Sequence, residues 1–116
     1  MHTATGENLI VKLTFEFALA IVDFTEELES LRKYNLANQL FRSGTSIGAN
    51  VREAQGCESK ADFIHKFKIA YKEAEETHYW LELSLHSKNY PNPDKLLIDL
   101  ASIQRVLGKI ISSSKK

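Results

Sequence analysis

Residues 59–87 read SKADFIHKFKIAYKEAEETHYWLELSLHS, with no glycine or proline among them. Ser59-Lys60-Ala61-Asp62 has the form of a capping box, in which a serine side chain takes a backbone N–H of the first turn. Phe63, Phe67, Ala70, Ala74, Leu81 and Leu85 then recur at helical steps, predicting a helix over about 59–88. At about 100° per residue, Tyr71 and His78 join them within roughly 60° of Phe67, the arc expected to face a core. Ile69, Trp80 and Leu83 fall on the opposite side among Glu73 and Glu76. A bundle helix needs one apolar stripe, so a second stripe bearing the tryptophan predicts a face covered by another copy of the chain. The alternative is that single apolar residues on a surface are ordinary.

Working outward, the same period fills the rest of the chain. Ile10, Leu13, Phe17, Ala20, Phe24, Leu28 and Leu31 mark a helix over about 8–33, with Asn8 as its cap. Leu36, Leu40, Ile47, Val51 and Ala54 mark one over about 36–55, with Asn35 as cap and Gly56 as stop. After Tyr90-Pro91-Asn92-Pro93-Asp94, where Asn92 can cap and Pro93 can open a helix, Leu96, Leu100, Ile103, Leu107 and Ile110 give a fourth over about 93–112. The tail 112–116 is expected to fray. No segment alternates apolar and polar residues as a strand does. The expected fold is all-α, one domain over 1–116. Helices about 30 to 45 Å long joined by short loops imply an up-down-up-down antiparallel four-helix bundle.

Composition bounds the function. With 43% hydrophobic and 26% charged residues in 116 the chain has a globular balance, and no apolar run approaches the roughly 20 residues of a membrane span. Lys plus Arg is 15 and Asp plus Glu is 15, so no whole-molecule attraction to nucleic acid or acidic lipid is expected and any basic surface is local. Lys60, Lys66, Lys68 and Lys72 supply one such cluster ahead of Glu73, Glu75, Glu76 and Glu82; Arg105 and Lys109 supply another. Part of this sorting is explained by i,i+4 pairs such as Asp62 with Lys66. The single cysteine, Cys57, and the lack of a leader at the N-terminus fit the cytoplasm.

Residues 42–50 read RSGTSIGAN. Two glycines inside a helix cost about 1 kcal/mol each against alanine, so Gly44 and Gly48, four apart, predict a shallow groove that a neighbour enters closely. The alternative is a locally weak or kinked helix.

Chemistry is sparse. Glu75-Glu76-Thr77-His78 holds one Glu-x-x-His, half of what a di-iron bundle needs, and Asp62 with His65 lies on the same helix and cannot complete it. Metal and cofactor are therefore expected to be none, with His78 turned to the core. Cys57 has no base set beside it, Ser43, Ser46 and Ser59 lack a triad, and a phosphate loop needs a strand. No enzyme and no small-molecule substrate are expected; a metal-dependent bundle enzyme is the alternative.

Residues 39–54, QLFRSGTSIGANVREA, and 72–81, KEAEETHYWL, with 58–63 between them, resemble the signature of the bacterial four-helix bundle family named for proteins encoded in 23S rRNA intervening sequences. The likeness spans nearly the whole chain. It implies a ring-shaped homopentamer, and kinship with the basic accessory protein of diversity-generating retroelements, which works with a reverse transcriptase and nucleic acid. The present chain departs from that relative in its zero net charge. Arg42, Asn50, Glu53, Glu73, Glu76 and Thr77 match the family's polar positions. The oligomer interface is accordingly expected at Arg42, Asn50, Glu53, Ile69, Glu73, Glu76, Trp80 and Leu83, with Arg42 engaging Glu73 or Glu76 beside Trp80. RNA or an RNA-associated protein is the expected partner, through Lys60, Lys66, Lys68, Lys72, Arg105 and Lys109; a retroelement-type accessory protein that binds a reverse transcriptase is the alternative that the resemblance implies.

Overall fold

The computed structural model describes the backbone of residues 5–115 and the side chains of residues 9–115. Its elements are four helices, α1 (Thr5–Ser30), α2 (Tyr34–Ala54), α3 (Lys60–His86) and α4 (Asp94–Ser114). They form an all-α body 46 × 20 × 20 Å in extent. Each helix touches two others, in the cyclic order α1, α2, α3, α4. Among the described residues no helix is long and apolar enough to cross a membrane.

The ends of the helices follow local chemistry, some of it unexpected. The cap predicted at Ser59 is made, its hydroxyl accepting from the Asp62 N–H at 3.0 Å. α1 already runs from Thr5, so Asn8 lies within it and its side chain is outside the described residues. At its other end α1 stops at Ser30, short of residue 33, because Arg32 turns into the left-handed region at φ 64. The Lys33 N–H then bonds the Leu28 carbonyl at 2.8 Å and the Arg32 N–H that of Glu29 at 2.9 Å, a Schellman stop made without the usual glycine. α2 begins at once, with Lys33 rather than Asn35 in the cap position. Gly56 keeps a negative φ, and α2 closes through tight i to i+3 turns. The cap position of α4 is Pro93 rather than Asn92, and Pro93 does not open the helix; the Asn92 side chain, one place earlier, accepts from the Asp94 N–H at 2.7 Å. The tail is helical through Ser114, and Lys116 lies outside the described residues.

The core is built from Ile10, Phe17, Ile21, Phe24 and Leu28 of α1, Leu40, Ile47 and Val51 of α2, Phe67, Ala70, Ala74 and Leu81 of α3, and Leu96, Leu100, Ile103 and Leu107 of α4. On α3 the inward line is Phe67, Ala70, Ala74, Thr77, Leu81 and Ser84, steps that alternate three and four and so repeat every seven residues. That is the period of helices wound on one another, and over three turns it drifts away from a straight 100° wheel. His78 and Leu85 are consequently not in the core: the His78 side chain is 44% exposed and Leu85 39%. Leu31, expected on the α1 stripe, lies beyond its helix and is also exposed.

The two glycines of α2 mark close approach. A Cβ on Gly44 would lie 2.8 Å from Cγ1 of Ile21, and one on Gly48 would lie 3.2 Å from the Thr14 carbonyl oxygen. On the other side of α2, Thr77 Oγ1 lies 2.7 Å from the Glu73 carbonyl oxygen and 2.9 Å from Ser43 Oγ. A carbonyl only accepts, so the threonine proton goes there and Ser43 supplies its own to Thr77.

Candidate interaction site

Arg42, Glu53, Lys66 and Glu76 meet because residues of α2 and α3 pair in opposite order: 53 with 66, and 42 with 76. Arg42 Nη2 lies 2.5 Å from Glu76 Oε2 and donates also to Gln39 Oε1 at 3.2 Å. The Trp80 indole N–H donates to the same Glu76 oxygen at 3.0 Å. Arg42 thus finds its carboxylate within one chain, with Trp80 alongside. An ion pair whose arginine is 57% exposed is worth about 1 kcal/mol or less, so its main effect is to fix the indole. Trp80 is half-buried and packs on the edge of the core, not on the side opposite to it.

Glu73 stands apart. Its Oε1 is buried without a hydrogen-bond donor, and the guanidinium of Arg42 is 3.9 Å away. Burial, and then the charge of Glu76, hold its carboxyl above the usual range against the pull of Arg42. The folded chain therefore takes up this proton more readily than the unfolded one, so stability is lost as pH rises through the window. Glu73→Gln is expected to melt higher than the parent at pH 7 to 8, and to lose that advantage by about pH 4, where glutamates protonate in both states. Equal shifts in melting temperature at both pH values would contradict it.

Above this cluster opens a groove of ≈ 460 Å³ lined by Leu36, Trp80, Leu83 and Tyr90, with Asn35, Asn38, Gln39 and Ser87 around them. Lys33 stands over the Tyr90 ring at 4.6 Å. Leu36 reads from sequence as a plain core position and Tyr90 as loop. Only the fold brings them to Trp80, although the run of amides at 35, 38 and 39 was a visible sign of a polar rim. Phe15, Leu19, Tyr34 and Phe41, unremarked by periodicity as surface groups, are 49%, 52%, 55% and 49% exposed.

The remaining expected residues are dispersed. Asn50 donates to the Ser46 carbonyl of its own helix at 2.9 Å, Ile69 is half-buried, and Leu83 is 41% exposed on the groove. Glu53 accepts from Lys66 at 2.8 Å and holds that ammonium above its ordinary range. Lys60, Lys68, Lys72, Arg105 and Lys109 are exposed. Tyr71 lies against Gly108, so Lys72 and Lys109 come from neighbouring turns of α3 and α4. Charge is sorted along the rod. Lys60, Lys66, Lys68 and Lys72 lie toward the end where α2 turns into α3, while Glu26, Glu27, Glu29 and Asp94 crowd the other.

His78 Nδ1 is 3.8 Å from Glu82 Oε1 on the bundle's outside, while Glu75 is exposed. Among the described residues no three His, Cys, Asp or Glu side chains come together as metal ligands would. Cys57 is a half-buried thiol 3.8 Å from the Glu53 carbonyl oxygen.

The model of a family described as 23S rRNA-intervening sequence protein matches residues 6–110. A crystal structure of a protein of unknown function from the S23 ribosomal protein family of Bacteroides thetaiotaomicron VPI-5482 is similar at 40% identity. The alignment covers 93% of this chain and 99% of that one, with a TM-score of 0.88. No curated protein matches.

Proposed function

Since the chain belongs to the 23S rRNA-intervening sequence protein family, we propose that it is a non-catalytic cytoplasmic scaffold, an up-down-up-down bundle that assembles with copies of itself into a pentameric ring and carries RNA or an RNA-associated protein. The observation that carries the reading is the groove beside Trp80: a single chain leaves Trp80, Leu83 and Tyr90 lining an open apolar surface. The opposite order of contacts between α2 and α3 supports the up-down course. The lysines of α3, with Lys109 of α4, are the surface that would meet phosphate.

Two measurements test it. Sedimentation of the full chain is expected to give a multiple of 13.2 kDa, and a lone 13.2 kDa particle at micromolar concentration would refute the scaffold. Titration with structured RNA is expected to show binding that four phosphate contacts would weaken roughly a hundredfold between about 50 and about 200 mM salt. Absence of binding at the lower salt removes RNA from the proposal and leaves a protein partner.

A further inference from the structure

We infer that the groove on the α2/α3 face is filled by Phe41, with Tyr34 beside it, from the next copy of this chain. The inference rests on the self-association reading above and names the surface that reading lacks.

The argument starts from position. Gly48 faces Thr14 of α1. Phe41 and Tyr34 precede it by seven and fourteen residues, two and four turns, so all three lie along the α1 side of α2. The groove lies on the α3 side of the same helix, where Leu36 and Gln39 meet Trp80 and Leu83. Tyr34 and Phe41 bracket Leu36 and Gln39 along α2, which puts ridge and groove at one height on the rod. Faces sharing a corner of a four-cornered bundle are roughly a quarter turn apart. A contact between two different surfaces so placed, with no shift along the axis, brings successive copies around into a small closed ring; surfaces on opposite faces would extend a filament.

Charge agrees with position. No Asp, Glu, Lys or Arg lines the groove, so an aromatic ridge enters it without stranding a charge. The ridge is bordered by Glu26 and Glu29, exposed in the last turns of α1, with Arg32 as the one exposed base between them and Tyr34. The groove is bordered by Lys88, exposed directly after Ser87. A border that is acidic on balance along the ridge, against Lys88 and the Lys33 ammonium over Tyr90 at the groove, favours this pairing over groove against groove.

The test uses two full-length variants at exposed positions, Phe41→Glu and Leu83→Glu. The first spoils the ridge and keeps the groove; the second does the reverse. Each alone is expected to sediment at the 13.2 kDa of one chain with unchanged helical circular dichroism, and an equimolar mixture to form a dimer of twice that mass. The single tryptophan reports the same event: Trp80 emission of the Phe41→Glu chain should shift to the blue when the Leu83→Glu chain is added. A parent chain that is itself monomeric overturns the self-association reading as well. An oligomeric parent whose mass survives Phe41→Glu, or variants that stay monomeric when mixed, overturn this pairing alone.

Discussion

Phe67→Ala is expected to lower the stability of the bundle by about 3 to 5 kcal/mol, the usual cost of emptying a large aromatic site that cannot collapse. Phe67 has no exposed surface, and its ring lies 4.6 Å from that of Phe63 at a tilt of 32°. The positions that follow it on the inward line are Ala70 and Ala74, whose methyl groups cannot reach into the vacated space. For a chain of 116 residues each kcal/mol corresponds to about 4 °C, so the melting temperature should fall by about 12 to 20 °C. Thermal melts of parent and variant at one pH decide the matter. A fall of only a few degrees would mean that α3 does not turn this face to the core.

Gly44→Val is expected to cost about 2 to 3 kcal/mol, from overpacking the contact between α1 and α2. An added Cβ would meet three atoms of Ile21, Cγ1 at 2.8 Å and Cδ1 and Cγ2 at 3.0 Å. Ile21 is itself fully buried, so it has no open side to move toward. The gain in helix propensity on leaving glycine, about 1 kcal/mol at most, opposes this loss and does not cancel it. The cause can be isolated with a double-mutant cycle. In a chain carrying Ile21→Ala the same valine should cost at least about 1 kcal/mol less, because the clashing atoms are gone. Strict additivity of the two changes would show that the glycine serves some other end.

What the sequence made legible divides along physical lines. Apolar period and chain breakers located four helices, and the Ser59 cap and the Asn92 side chain's bond to the first turn of α4 were readable because a side chain's own chemistry makes them. The close approach at Gly44 and Gly48 was readable from their cost in a helix interior. Three features were not. The end of α1 rests on Arg32 in a conformation that glycine normally signals, so no residue type announced it. Thr77 and Ser84 entered the core because hydroxyls satisfied by backbone carbonyls can be buried, and a search for apolar residues passes over them in favour of His78 and Leu85. The Trp80 groove needs the loop residue Tyr90 folded back onto α2 and α3, a tertiary event with no local pattern. Of the polar positions that the family likeness implied, Arg42, Glu73 and Glu76 do gather around one site, whereas Asn50 turns along its own helix.

A chain whose charges cancel in total can still be strongly polarised, and this one is: cations gather toward one tip of the rod and anions toward the other. Rotation about an axis parallel to the rods leaves each one pointing the same way. Their dipoles would therefore add instead of cancelling, and a closed circle of such rods would present one cationic rim and one anionic rim. A neutral isoelectric balance is then no bar to a surface that attracts phosphate from a distance, provided the ionic strength is low enough for the field to reach it.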